Sequence, residues 1–188
     1  RAVAELLRHG PLENKLIKLT VSAKGGRPYR VELKDYKTFT REPLILFDGD
    51  STRFGLSFYN QNKLITTNDL YFNALDTASH KLITESADSI TLRMGVSADR
   101  YIEYRYTLEP ESYMVNFSIR LVGMKDIVTR DPSAIDMNWE VYAPQHEQLK
   151  KNENQYTSIY FRYPNEDADF FKAGRSSTPV QKDIATQV

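Results

Sequence analysis

The 188-residue chain contains no cysteine, which removes disulfides, thiolate nucleophiles and cysteine-based zinc sites together. This does not fix the compartment, because an exported domain with a large enough core needs no covalent staples. Net charge is missing as well: 25 Lys and Arg balance 25 Asp and Glu. No broad positive field is available for DNA or RNA, and no nucleic-acid partner is expected. Nor does any apolar run approach the ~20 residues a spanning helix requires; Pro43-Leu44-Ile45-Leu46-Phe47 is the longest comparable patch. The polypeptide as given is expected to be soluble. It begins at Arg1 rather than Met, so a piece of a longer protein is expected, and the lack of a leader or anchor in it proves nothing. Neither dinucleotide-binding nor phosphate-loop glycine patterns occur, and no repeat is evident.

What is present is alternation. A chain of this length suits one domain with ordered appendages. Arg1 to Gly10 has helix-forming residues and ends in Gly, which predicts a short helix or a flexible lead-in over 1–11. Ile17, Leu19 and Val21 then alternate with Lys18 and Thr20, so Leu12 to Val21 reads as a strand. Gly25-Gly26 reverses the chain, since glycine accepts positive φ without a Cβ penalty. After it, Tyr29, Val31 and Leu33 share one face while Arg30, Glu32 and Lys34 share the other. A brief strand follows at Leu44 to Phe47, another at Phe54, Leu56 and Phe58, and Asn60 to Asn73 reads as loop with short edge strands.

The clearest pattern is in the middle. Ile90, Leu92, Met94 and Val96, then Ile102, Tyr104, Tyr106 and Leu108, then Tyr113, Val115, Phe117, Ile119 and Leu121 form three apolar rows with short links. They predict an antiparallel meander. Beyond the loop at Asp131-Pro132, Ile135, Met137, Trp139 and Val141 make a further row, and core packing is expected of Trp139. Gln145 to Asn154 is polar and helix-compatible, Thr157 to Tyr163 is strand with Ile159, Phe161 and Tyr163 inward, and Asp169 to Lys172 is a last short strand. The tail after Gly174 reads as a connector. Nine or ten strands with little helix give an all-β, twisted antiparallel sandwich.

Chemistry is sparse. His146-Glu147 begins the metal-binding His-Glu-x-x-His pattern, but Lys150 stands where the second histidine should be. Asp48-Gly49-Asp50 imitates a calcium loop, yet Arg53 and Tyr59 occupy its required glycine and glutamate positions. His9, His80 and His146 lie in polar or weakly patterned segments without a nucleophile elbow. Surface histidines, an ordinary turn and a solvated segment are therefore expected, with no catalytic residue, metal or cofactor. Asp136, Asn138, Glu140 and Tyr142 share one strand phase, which makes either a polar ligand groove or a solvent-facing strand edge. Tyr59, Tyr142 and Tyr160 fall opposite their strands' apolar rows and are expected at the surface.

Several segments together resemble one family. Leu12-Glu13-Asn14, Leu19-Thr20-Val21-Ser22, Lys24-Gly25-Gly26-Arg27 and Val31-Glu32-Leu33-Lys34-Asp35-Tyr36-Lys37-Thr38 open the pattern. Pro43 to Phe47, Tyr101 to Leu108, Tyr113 to Phe117, His146-Glu147 and Asn152 to Phe161 continue it in order. From about Leu12 to Phe171 the chain resembles the large periplasmic domain of the YidC membrane-protein insertases, in its Bacteroidetes-like form. The resemblance implies a galactose-mutarotase-like β-supersandwich over 12–173, with a connector over 174–188 leading towards membrane-embedded parts. It implies a location on the periplasmic side of the inner membrane. It also implies contacts with auxiliary subunits of the Sec translocon and with membrane-protein clients, tethered to the membrane in the whole protein. The insertion machinery belongs to segments not present here, so no insertase residue carries over. Within Gln145 to Phe171, which matches the family's contact region, Glu147, Tyr156, Tyr160, Phe170 and Phe171 are the candidate interaction residues, and Gly25 and Gly26 a structural turn. The expected function is non-catalytic docking in support of membrane-protein insertion and folding; the alternatives are a carbohydrate-binding or mutarotase-like domain and a holdase-type chaperone.

Overall fold

A computed structural model describes residues 8–76, 80–125, 127, 135–162 and 166–172. Among them are fourteen strands and one short α-helix. The first sheet holds β1 (Arg8–Glu13), β2 (Ile17–Ser22), β3 (Pro28–Lys37), β4 (Pro43–Asp48) and β8 (Lys81–Leu82), in the order β4-β3-β2-β1-β8. The second holds β7 (Asn73–Ala74), β9 (Asp88–Ser97), β10 (Arg100–Leu108) and β11 (Val115–Val122), in the order β11-β10-β9-β7. A third sheet, ordered β12-β5-β6, is built from β5 (Thr52–Asn60), β6 (Lys63–Thr66) and β12 (Asp136–Val141). A separate hairpin pairs β13 (Ser158–Phe161) with β14 (Asp169–Lys172), after helix α1 (Lys150–Tyr156). All pairings between these strands are antiparallel except β1 with β8.

The architecture is an all-β sandwich, and its cause is the one-sided alternation. Ile102, Tyr104, Tyr106 and Leu108 of β10 are buried together, and they meet Leu19 and Val21 of β2, Phe54, Leu56 and Phe58 of β5, and Leu92 of β9 in one apolar core. Phe117 closes this core from β11, with its ring 4.7 Å from that of Tyr106 and 4.9 Å from that of Phe54. The meander expected from the three central rows is present as β9, β10 and β11, in continuous register from Tyr101 opposite Val122 to Leu108 opposite Val115.

Four local readings change. The expected helix does not reach Gly10, because β1 begins at Arg8; residues 1–7 lie outside the described residues. The expected strand from Leu12 to Val21 is two strands broken at Asn14. The fully buried Asn14 accepts hydrogen bonds at Oδ1 from the amides of Leu16 and Ile17, and its Nδ2 donates to the carbonyls of Glu109 and Ser112, at 2.6–2.8 Å. Its side chain turns the chain and ties the first sheet to the end of β10. Trp139 is not in the core: it lies on the core side of β12, edge-on to Phe54 at 5.8 Å, but is 59% exposed because no further strand among the described residues covers it. Ile159 is exposed too, since both faces of the isolated β13–β14 pair are open. The loop at Asp131-Pro132, the residues 163–165 and the tail from 173 lie outside the described residues.

Candidate functional site

Gly25 and Gly26 adopt φ of +78° and +61°, and the turn they make is folded inwards. The Gly25 amide donates to the Leu70 carbonyl at 2.7 Å, and the Phe72 amide to the Ala23 carbonyl at 2.8 Å. The Tyr106 hydroxyl donates to the Gly26 carbonyl at 2.7 Å. A Cβ on Gly26 would stand 2.8 Å from Cδ2 of Tyr104 and 3.1 Å from Cγ of Phe72, whose rings are themselves stacked at 4.6 Å. Below the turn, Thr67 Oγ1 accepts from the Leu56 amide and shares a 2.9 Å hydrogen bond with the Tyr104 hydroxyl. Burial pushes that hydroxyl up to about 12 despite its hydrogen bonds. Burial also drives Tyr106 well above the usual tyrosine range, with Tyr104 adding to the shift.

Because the turn sinks inwards, Arg27 sinks with it. Only 4% exposed, it donates to the Gly49 carbonyl, to Thr52 Oγ1 and to Asp50, with Tyr29 beside its guanidinium at 5.7 Å. The Asp48-Gly49-Asp50 segment thus leads into a short 3₁₀ turn, Gly49–Ser51, held by an arginine. Among the described residues no cluster of three or more metal-ligating side chains occurs.

These elements shape a groove of about 750 Å³ over the polar face of β5 and β12. Arg53, Ser57, Asn138 and Glu140 line it from the sheet, Lys24, Arg27 and Tyr29 from the turn and β3, and Asn68, Asp69 and Tyr71 from the chain after β6. The groove contains hydroxyls, amides and charges of both signs, a surface able to hydrogen-bond a polar or extended ligand. Among the described residues no imidazole lines it. The polar phase of β12 read from the sequence is thus one wall of a groove, through Asn138 and Glu140, on a strand exposed along its whole length.

His80 and His146 lie elsewhere. His80 Nε2 meets Glu13 Oε2 at 3.0 Å in a half-buried cluster where Glu13 also receives Lys34 at 2.8 Å and Lys18 at 3.8 Å. Burial raises the Glu13 carboxyl, but the Lys34 hydrogen bond and the surrounding charges outweigh it and hold the group below its usual value. His146 anchors the chain before α1: its amide donates to Glu153 Oε1 at 3.0 Å, and its carbonyl accepts from the Phe39 amide at 3.2 Å.

Sequence reasoning missed one polar residue completely. Glu103 lies in the polar phase of β10 yet is 3% exposed, with Arg93 at 2.7 Å and Arg120 at 3.6 Å from the flanking strands, while Arg93 stacks on Tyr101 at 3.8 Å. Like charges across β9 and β11 at the same register were the signal, readable only once the pairing was known.

After residue 135 the character of the chain changes. Among the described residues the buried core members fall between Leu12 and Met124, with Ile127 and Ile135 packed against them, whereas the described later residues form an outer layer rich in exposed apolar groups. Tyr160 of β13 and Phe170 of β14 stand opposite each other, stacked at 5.4 Å, with Tyr156 at the end of α1 and Ile159 nearby in sequence. Glu147 is exposed, and the backbone of Phe171 pairs with Ile159.

The family model of the YidC periplasmic domain matches residues 11–173. The chain belongs to this family. Among its relatives, the membrane protein insertase YidC of Phocaeicola vulgatus is 34% identical over 159 residues, covering 85% of this chain and 24% of that protein. Those of Porphyromonas gingivalis and Bacteroides fragilis are 31% and 29% identical over 176 and 164 residues, covering 93% and 87% of this chain and 26% and 25% of theirs. The chain thus spans about a quarter of the length of the curated relatives it matches. Membership makes it a periplasmic domain of the Bacteroidetes type. Among the described residues no helix is long and apolar enough to cross a membrane.

Proposed function

We propose that this chain is a non-catalytic docking domain of a YidC-type insertase, which supports insertion and folding of inner-membrane proteins by holding translocon or client segments on its outer layer. The observation that carries this reading is the open aromatic stack of Tyr160, 71% exposed, on Phe170, 51% exposed, outside the core. Large apolar groups left open in a cluster mark a surface that another molecule covers. The partners are auxiliary subunits of the Sec translocon and membrane-protein clients. In the full-length insertase, Tyr160→Ser with Phe170→Ser should reduce the translocon subunits that co-purify from membranes, as should deletion of Gln145 to Phe171. Unchanged recovery with the double substitution would sink the assignment of this surface.

The same exposed stack favours a second reading, shielding of apolar client segments as a holdase. It predicts that the chain suppresses aggregation of a membrane-protein client and that the double substitution weakens this. A sugar-active reading has less support, because the His80–Glu13 pair lies outside the groove. Saturable sugar binding with turnover would restore it.

A further inference from the structure

The strand β12 is paired on one side by β5 and on the other by no strand among the described residues. Its register with β5 runs unbroken from Asp136 opposite Ser57 to Val141 opposite Thr52. Sheets blunt such edges with Lys, Pro or a bulge, because a straight row of free N–H and C=O groups recruits another strand. β12, with the sequence Asp-Met-Asn-Trp-Glu-Val, has no Lys, Pro or bulge, and its charges are the two carboxylates of Asp136 and Glu140. Its two faces differ sharply. Met137, Trp139 and Val141 form an apolar row, 56%, 59% and 40% exposed, while Asp136, Asn138 and Glu140 point to the groove side. Neither carboxylate makes an ion pair among the described residues, although Arg53 stands opposite Glu140 in the register.

We propose that β12 is a docking edge for an extended segment of a partner protein in which apolar residues alternate with Lys or Arg. This rests on the docking reading above and names where the segment binds and what chemistry it carries. Main-chain hydrogen bonds along the free edge supply affinity, and the alternating faces select the sequence. Apolar positions of the segment cover Met137, Trp139 and Val141; its cations meet Asp136 and Glu140 across the new strand pair. A second copy of the chain fits poorly. Antiparallel self-pairing centred on Asn138 sets Asp136 against Glu140, and centring on Trp139 brings no cation to either carboxylate, because β12 contains none.

Trp139 is the chain's single tryptophan, so its fluorescence reports on this edge alone. The 188-residue chain is titrated with a six-residue peptide of alternating Lys and Val, and with its Glu-Val counterpart. The Lys-Val peptide should give a saturable blue shift, with the Glu-Val peptide binding about tenfold more weakly, as expected for two cross-strand charge pairs. The double variant Asp136→Lys, Glu140→Lys should reverse the preference. Equal binding of both peptides, or an unchanged preference in the double variant, would overturn the proposal. So would a concentration-dependent dimer in ultracentrifugation without a peptide effect, which assigns the edge to a second copy. Backbone amide NMR of the unmutated chain with the Lys-Val peptide needs no variant to fold: shifts on β12 and β5 support the edge. Shifts confined to β13 and β14 overturn it while leaving the docking reading intact.

Discussion

Replacing Gly26 by Ala adds one methyl group and should be among the most damaging small changes in the chain. Two costs combine. At φ +61° the backbone is in the left-handed region, which costs an L-residue roughly 1–2 kcal/mol. The new Cβ would also stand 2.8 Å from the Tyr104 ring and 3.1 Å from Phe72. Both rings belong to the core and are stacked on each other, so neither has free space to retreat into. Overpacking of this kind adds about 1–3 kcal/mol, for a total of about 2–5 kcal/mol. Gly49→Ala isolates the first cost: φ is +82°, but its Cβ would meet nothing nearer than the Tyr29 hydroxyl at 3.7 Å. Urea unfolding of both variants at fixed pH gives the comparison, with the slope checked for constancy before midpoints are converted to free energies. Gly26→Ala should be the less stable by about 1–3 kcal/mol, the overpacking share. Equal losses would refute the idea that this turn is buried against the aromatic stack.

Other expectations concern buried polar groups and pH. Tyr106→Phe strips the Gly26 carbonyl of its donor and should cost about 1–3 kcal/mol in chemical unfolding. Asn14→Asp, nearly identical in shape, should be as harmful as Asn14→Ala in the same assay, because both remove the donor that satisfies Glu109 and Ser112; a mild effect of Asp would show that the donor is dispensable. In alkali, a phenol whose folded pKa is raised from 10.0 to about 12 stabilises the fold fully below pH 10 and loses that contribution as pH rises towards 12. Absorbance of tyrosinate near pH 11 should therefore show a class of tyrosines, including Tyr104 and Tyr106, that titrates together with loss of near-ultraviolet circular dichroism. In acid the sign is opposite. Burial would raise Asp76, but the Thr91 amide and Lys81 hold it below its usual 3.8, so its contribution is present above that pH and is lost as pH falls through the lower folded value. Asp76→Asn should flatten the acid limb of a stability–pH curve; an unchanged limb would remove Asp76 from the account.

The central meander was legible because β9 and β10 each bury one face, and period-two alternation reports that directly. Alternation tells which side chains share a face, though, and not what lies over the face. Trp139 and Ile159 sit in genuine apolar rows, yet no layer among the described residues covers them, so their phase alone gave the wrong depth. Glu103 failed in the other direction: it belongs to the polar row, and only the strand register brings Arg93 and Arg120 to close over it. The Gly-Gly signal announced a chain reversal from residues 25 and 26 alone. Its burial depends on Phe72 and Tyr104, some fifty to eighty positions away, which no local pattern specifies. The groove shared this fate. Its β12 wall was readable as a polar row, but the Arg27 and Asn68 sides come together only through the inward fold of that turn.

Asn14 has a consequence in time as well as in space. Its donor groups find their acceptors only at Glu109 and Ser112, 95 and 98 residues later in the chain. The strand before it, β1, takes its parallel partner Lys81–Leu82 from nearly seventy residues further along the chain. A chain elongating at about 5–20 residues per second needs roughly 5–20 s to supply the second of these acceptors. Throughout that interval β1 and β2 can pair with each other while the turn between them keeps an unsatisfied amide. The first sheet therefore gains this tie to the second only late, on arrival of the β10–β11 link.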